Sequence, residues 1–174
     1  VIGGVYPKQA IDASLQSYEY TDCRRQPQCL YAIGVDWNEK PTGVHVVVVE
    51  FDPNTNFLKL VDKAIINDDE FTQLMGVEGI VSLVRKWSPH IVWVDSGFGS
   101  TQVETLKKYA LSHPDLNLVG KIHAVVMAST VEMSDPFTGE KIKKRTKEFM
   151  VDLTLRKVEM LQCIFPKTED TDAM

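Results

Sequence analysis

Hydrophobic and polar positions along this chain fall into short runs with two different periods, and the runs mark out its elements. Leu30-Tyr31-Ala32-Ile33-Gly34-Val35-Asp36-Trp37 is apolar until it closes on one carboxylate. Tyr31, Ile33 and Val35 favour β structure and their neighbours are small, so the run predicts a strand buried on both faces. A polar turn, Asn38 to Gly43, leads to the valine run Val44 to Phe51, a second buried strand. Asp52-Pro53-Asn54-Thr55-Asn56 has turn composition, and Phe57 to Ile66 alternates as an outer third strand does. Three antiparallel strands therefore open the domain.

The period then changes. Asp68 or Asp69 can cap a helix to about Trp87, with Phe71, Leu74, Met75, Ile80, Leu83, Val84 and Trp87 as an imperfect stripe; Gly76 and Gly79 leave room for two shorter helices. Pro89 ends that segment. Ile91-Val92-Trp93-Val94-Asp95-Ser96-Gly97 repeats the first design, an apolar run closing on Asp. Ser100 or Thr101 caps a second helix to about Ser112, stopped by Pro114, and Leu118 to Met127 reads as a fifth strand. Val131 to Lys143 has turn chemistry at Asp135-Pro136 and Thr138-Gly139 between two β-capable arms, a projecting hairpin. Phe149 to Cys163 closes the series as a helix with Met150, Leu153, Leu155, Val158 and Leu161 on its apolar side. The order predicts an α/β fold: a mixed sheet, three antiparallel strands then parallel strands, flanked by helices. Residues 1–28, with Gly3-Gly4, Pro7, Pro27 and a short amphipathic piece around Ile11, Leu15 and Tyr18, read as a linker or lead-in segment against a domain spanning 29–174.

Two strands that end in Asp change the chemical picture. If they are neighbours, Asp36 and Asp95 meet at one sheet edge with like charges, an arrangement that calls for a cation. An ionised Asp36 at the end of an interior strand would cost several kcal/mol without compensation. Taken singly, either residue could simply cap a turn.

At 174 residues and 44% hydrophobic, the chain supports one domain with a sizeable core. The net charge of -5 disfavours nucleic acid only on average, because Lys141, Lys143, Lys144, Arg145 and Lys147 form a dense positive run. That run is either a solvated face or a contact for nucleic-acid phosphates. Cys23, Cys29 and Cys163 make no C-x-x-C pair, which signals neither a disulfide framework nor zinc and suits a reducing cytoplasm. No apolar run approaches the roughly 18 to 20 residues that span a bilayer, and no secretory leader opens the sequence, so no membrane association is expected. His45, His90, His113 and His123 are not spaced as a ligand set and read as structural or surface residues.

Ile33-Gly34-Val35-Asp36-Trp37, Val92-Trp93-Val94-Asp95-Ser96-Gly97, the hairpin Asp135-Pro136-Phe137-Thr138-Gly139-Glu140 and Lys147-Glu148-Phe149-Met150-Val151 together resemble the nuclease domain of viral DNA-packaging terminase large subunits. The resemblance runs from about Val5 to Pro166 and implies an RNase H-like fold. It further implies an endonuclease that cuts concatemeric viral DNA with two divalent cations, magnesium or manganese, roughly 3.5 to 4 Å apart. Asp36 would bridge the cations and Asp95 would ligate one. Double-stranded DNA, an ATPase motor domain of the same parent chain, the portal and the small terminase subunit are the implied partners, and the host cytoplasm the implied location.

The sequence departs from that family at the last acidic motif, an Asp on a helix beyond the final strand. Asp152 comes too early, and Asp170 and Asp172 lie in the polar tail; none matches. Truncation is the favoured explanation, and it implies weak metal binding and poor cutting by this piece. No G-x-x-x-x-G-K-S/T loop occurs, so the motor would lie upstream of Val1. Two other readings fit the sequence. Gly34-Val-Asp-Trp with Asp95-Ser-Gly-Phe-Gly99 faintly resembles the phosphate loops of actin-like and sugar-kinase ATPases, although the first loop lacks glycines for close phosphate approach. A non-catalytic DNA-binding or docking module, with carboxylates that merely cap strands, is the other.

Overall fold

The computed structural model describes residues 7–37, 43–66, 73–97, 100–135 and 137–167. The expected turn at Asn38 to Thr42, the caps Asp68 and Asp69, Phe71, and the tail residues Asp170 and Asp172 lie outside them.

In chain order the elements are α1 (Lys8–Ser14), β1 (Leu15–Gln16), β2 (Leu30–Asp36), β3 (Val44–Asp52), β4 (Phe57–Ile66), α2 (Gln73–Trp87) and β5 (Ile91–Asp95). There follow α3 (Ser100–Ser112), β6 (Ile122–Val125), β7 (Thr130–Ser134), β8 (Lys141–Arg145), α4 (Thr146–Glu159) and β9 (Cys163–Pro166). Seven strands form one mixed sheet in the order β1-β9-β4-β3-β2-β5-β6, and β7 pairs with β8 in a separate hairpin. β2, β3 and β4 are mutually antiparallel, while β5 and β6 continue from β2 in parallel. This is the mixed sheet that the hydrophobic pattern predicts.

One face of the sheet carries the core. Tyr31, Ile33 and Val35 of β2, Val44, Val46 and Val48 of β3, and Val92 and Val94 of β5 pack against Val77, Ile80, Val84 and Trp87 of α2 and Val103 and Leu106 of α3. The period-two spacing of strands meets the helical stripe of α2, which runs unbroken through Gly79. No described helix is long and apolar enough to cross a membrane.

Four expectations need correction. β2 is not buried on both faces: Ala32 and Gly34 are only half-buried and Asp36 is exposed, their face opening on a cleft that Met150 of α4 also lines. Asp36 therefore avoids the desolvation cost of an interior charge, since water reaches it. The strand expected over Leu118 to Met127 shrinks to β6; Leu118 is a core residue, and Gly120, at φ 79°, turns the chain before the strand begins. The last helix stops at Glu159, Leu161 adopts a left-handed φ of 55°, and Cys163 to Pro166 form β9 between β1 and β4. Leu153 and Leu161, read as its apolar side, are exposed. Finally, the lead-in segment lies against the core as expected but also supplies α1 and the short edge strand β1.

At the end of the sheet opposite Asp36, buried phenols tie loops to strands. The Tyr31 hydroxyl donates to Glu50 Oε2 at 2.5 Å and accepts from the Gln26 amide at 2.6 Å, and Tyr18 donates to the Leu60 carbonyl at 2.6 Å. Burial pushes both phenols well above the ordinary tyrosine range, and it raises the thiols of Cys23, Cys29 and Cys163 in the same sense. Groups whose protonated form is favoured by folding contribute stability that is intact below their unfolded pKa values, about 8.5 for thiols and 10 for phenols, and lost as pH rises past them. Urea unfolding between pH 7 and 11 should show a plateau followed by an alkaline decline, shallower in Tyr31→Phe. An identical alkaline slope in that variant would contradict the assignment.

Candidate metal centre and nucleic-acid interface

The register of the parallel pair β2 and β5 decides where the two carboxylates stand. Val35 is matched with Val94, so Asp36 and Asp95 each lie one residue beyond, at the C-terminal ends of neighbouring strands. Adjacent strands are about 4.8 Å apart. Because Val35 and Val94 both point into the core, the next residue on each strand points to the other face. The aspartates therefore share one face and one edge. The Gly97 amide donates to Asp95 Oδ1 at 2.9 Å, which fixes the carboxylate against the turn that leaves β5.

Both aspartates line a cleft of about 230 Å³ whose other walls include Gly34, His45, Val47, Trp93, Met127 and Met150. The strand residues among them follow from the β period. Gly34 and Trp93 lie two residues before Asp36 and Asp95, and His45 is the cross-strand partner of Asp36. Gly34 keeps the floor open, since a Cβ there would stand 3.3 Å from Val47 Cγ2. His45, Trp93 and the two methionines were not identified as site residues from sequence; counting by two from each Asp would have found Trp93.

The oxygen-only donor pair suits a hard divalent cation. Magnesium in particular is held by one or two carboxylates, with water and substrate phosphate completing its shell. Among the described residues no group of three or more histidine, cysteine or carboxylate side chains gathers to hold a metal. Asp152, on α4, is engaged in a salt bridge with Lys144.

The five cations of the basic run are not equivalent. Along β8, Lys141, Lys143 and Arg145 alternate with Ile142 and Lys144. Lys141 pairs with Glu132 at 2.8 Å and Lys144 with Asp152, whereas Lys143, Arg145 and Lys147 form no ion pair with a described residue. The Thr146 amide donates to the Ser129 carbonyl at 2.8 Å and the Lys147 amide to the Met127 carbonyl at 3.3 Å. These bonds seat the start of α4 beside Met127, a residue of the cleft lining. At the hairpin tip the Thr138 and Phe137 amides donate to Asp135, holding its carboxyl below the usual carboxylate range.

Comparison with solved structures converges on one architecture. The large terminase nuclease from thermophilic phage G20c superposes with a TM-score of 0.61 at 18% identity, over 92% of this chain and 74% of that one. The fold is that of the terminase large-subunit nucleases. A manganese-soaked human cytomegalovirus terminase nuclease domain matches this terminase-type fold with a TM-score of 0.52 at 10% identity, over 96% of this chain and 81% of that one. A nuclease domain of the large terminase subunit of bacterial virus Sf6, with manganese and beta-thujaplicinol, gives 0.53 at 12% identity, covering 96% and 76%. No protein-family model and no curated protein sequence matches the chain. At these identities the terminase-type RNase H-like fold is what the likeness carries; the chemistry has to come from the residues.

Proposed function

We propose that this chain is the nuclease domain of a DNA-packaging terminase large subunit, a divalent-metal-dependent endonuclease that cuts concatemeric viral DNA. The observation that carries the reading is the placement of Asp36 and Asp95 at matched positions on adjacent parallel strands, in one cleft. Manganese in the cytomegalovirus and Sf6 structures supports the choice of cation. Bound magnesium or manganese would supply an activated water and stabilise the departing oxygen. Asp36 and Asp95 would hold the cations, the Gly97 amide orients Asp95, and Lys143, Arg145 and Lys147, which no described carboxylate pairs, would contact phosphates. Backbone contacts carry no base information, so cutting has little sequence preference.

The motor domain of the parent chain, the portal, the small subunit and the host cytoplasm are the setting that this reading implies, with residues 29–174 as the catalytic unit and 1–28 leading into it. Incubating the complete protein with supercoiled plasmid should yield nicked and linear products with manganese or magnesium and none with EDTA. Cleavage indifferent to EDTA, or ATP binding by this domain in a calorimetric titration, would favour a different activity.

The hairpin makes a separate prediction. Lys143→Glu with Arg145→Glu should weaken duplex binding by about tenfold or more at low salt and flatten the slope of log K against log salt by nearly two, because each phosphate contact contributes about 0.9 to it. An unchanged slope in fluorescence anisotropy would remove the hairpin from the interface.

A further inference from the structure

Beside the carboxylates the cleft presents an aromatic surface that cation binding does not use. Trp93, two residues before Asp95, lines the cleft and is 43% exposed, whereas Trp37 and Trp87 are 3% and 0% exposed. Core packing does not account for it, since Val92 and Val94 make the contacts of β5 with the helices. On one side its register partner is His123 of the edge strand β6, and the two rings lie 5.1 Å apart with planes tilted by 35°. On the other side its partner is Gly34, which has no side chain to cover the indole. The edge beyond includes Met127, whose carbonyl receives the Lys147 amide, so the start of α4 is tied to the same opening.

We propose that Trp93 and His123 form a stacking platform for a base of an unpaired DNA strand, beside Asp36 and Asp95. The inference rests on the nuclease reading for its choice of DNA as ligand. Within an intact duplex both faces of a base are stacked on neighbours, so only an unpaired or frayed strand offers a free π face to an indole at the cleft wall. Stacking is tolerant of sequence, in keeping with cations that contact only phosphate. The site would thus engage single-stranded or frayed DNA more tightly than its backbone contacts alone allow.

Because the other two tryptophans are buried away from an added ligand, a change in intrinsic fluorescence on DNA binding reports mainly on Trp93. In EDTA, a twelve-nucleotide oligothymidylate should quench wild-type emission, and an equal length of blunt duplex should quench it much less. By anisotropy, Trp93→Ala should lose about tenfold in affinity for the oligothymidylate and stay within twofold for duplex, while Trp93→Phe retains most single-strand affinity. Wild-type single-strand affinity in Trp93→Ala, or equal losses for both ligands, would overturn the platform. Trp93 is exposed, and unchanged thermal melting of Trp93→Phe serves as the folding control. Single-strand binding through Trp93 without any manganese-dependent plasmid cutting by the complete protein would refute the nuclease reading and leave the platform standing; cutting with binding indifferent to Trp93 would do the reverse.

Discussion

Asp36→Asn should abolish metal-dependent cleavage by the complete nuclease while leaving the fold intact. The substitution keeps the size of the side chain and one acceptor oxygen but removes the charge that a divalent cation requires. Losing one of two carboxylates should slow cutting by about a thousandfold or more, equivalent to ~4 kcal/mol of transition-state stabilisation. Asp36 is exposed and its neighbour Asp95 carries the same sign, so the neutral variant should unfold within about 0.5 kcal/mol of wild type without metal. With metal the two should separate, because only a protein that binds the cation in its folded state is stabilised by it. Rates from a plasmid-nicking assay and melting temperatures with and without manganese check both halves. Retained cleavage at the wild-type rate would refute the assignment of Asp36.

Trp87→Ala has the largest expected effect on stability. Trp87 is fully buried at the end of α2, its ring lies 5.4 Å from that of Tyr31, and its carbonyl accepts from Arg25 Nε at 3.1 Å. Its Nε1 donates at 2.7 Å to Asp62 Oδ2, the oxygen that also receives Lys86 Nζ at 2.6 Å. Truncation would open a cavity and strip one donor from a carboxylate that is 8% exposed, at a cost of about 3 to 5 kcal/mol. Against a total of roughly 5 to 15 kcal/mol for a domain, that is a large share. Trp87→Phe keeps most of the volume and should lose only about 1 to 3 kcal/mol, the part due to the Asp62 bond. Urea unfolding measures both, and a loss below about 1 kcal/mol for Trp87→Ala would contradict this picture of the core.

What the chain discloses by itself depends on period and length. β2 to β5, α2 and α3 are long or strongly patterned, and their order already implies a mixed sheet; that Asp36 and Asp95 share one edge depended on their strands being neighbours, which the folded register supplies. β1 and β9 are two and four residues long, too short for periodicity to separate them from the helices beside them. β9 was further hidden because the turn before it uses Leu161, not glycine, at positive φ. The half-open face of β2 was also illegible, since Ala32 and Gly34 fit a fully buried strand and a partly covered one equally well. Lys144 and Lys141 show the same limit: a basic run records charge, and only the folded hairpin reveals that Asp152 and Glu132 engage two of its members.

Anomalous diffraction from a manganese-soaked crystal would reveal whether Asp36 and Asp95 hold divalent cations between them. A manganese peak within coordination distance of both carboxylates, lost in Asp36→Asn, is the predicted result. An ordered crystal at millimolar manganese with no peak at the cleft, or with one that survives in Asp36→Asn, would contradict it.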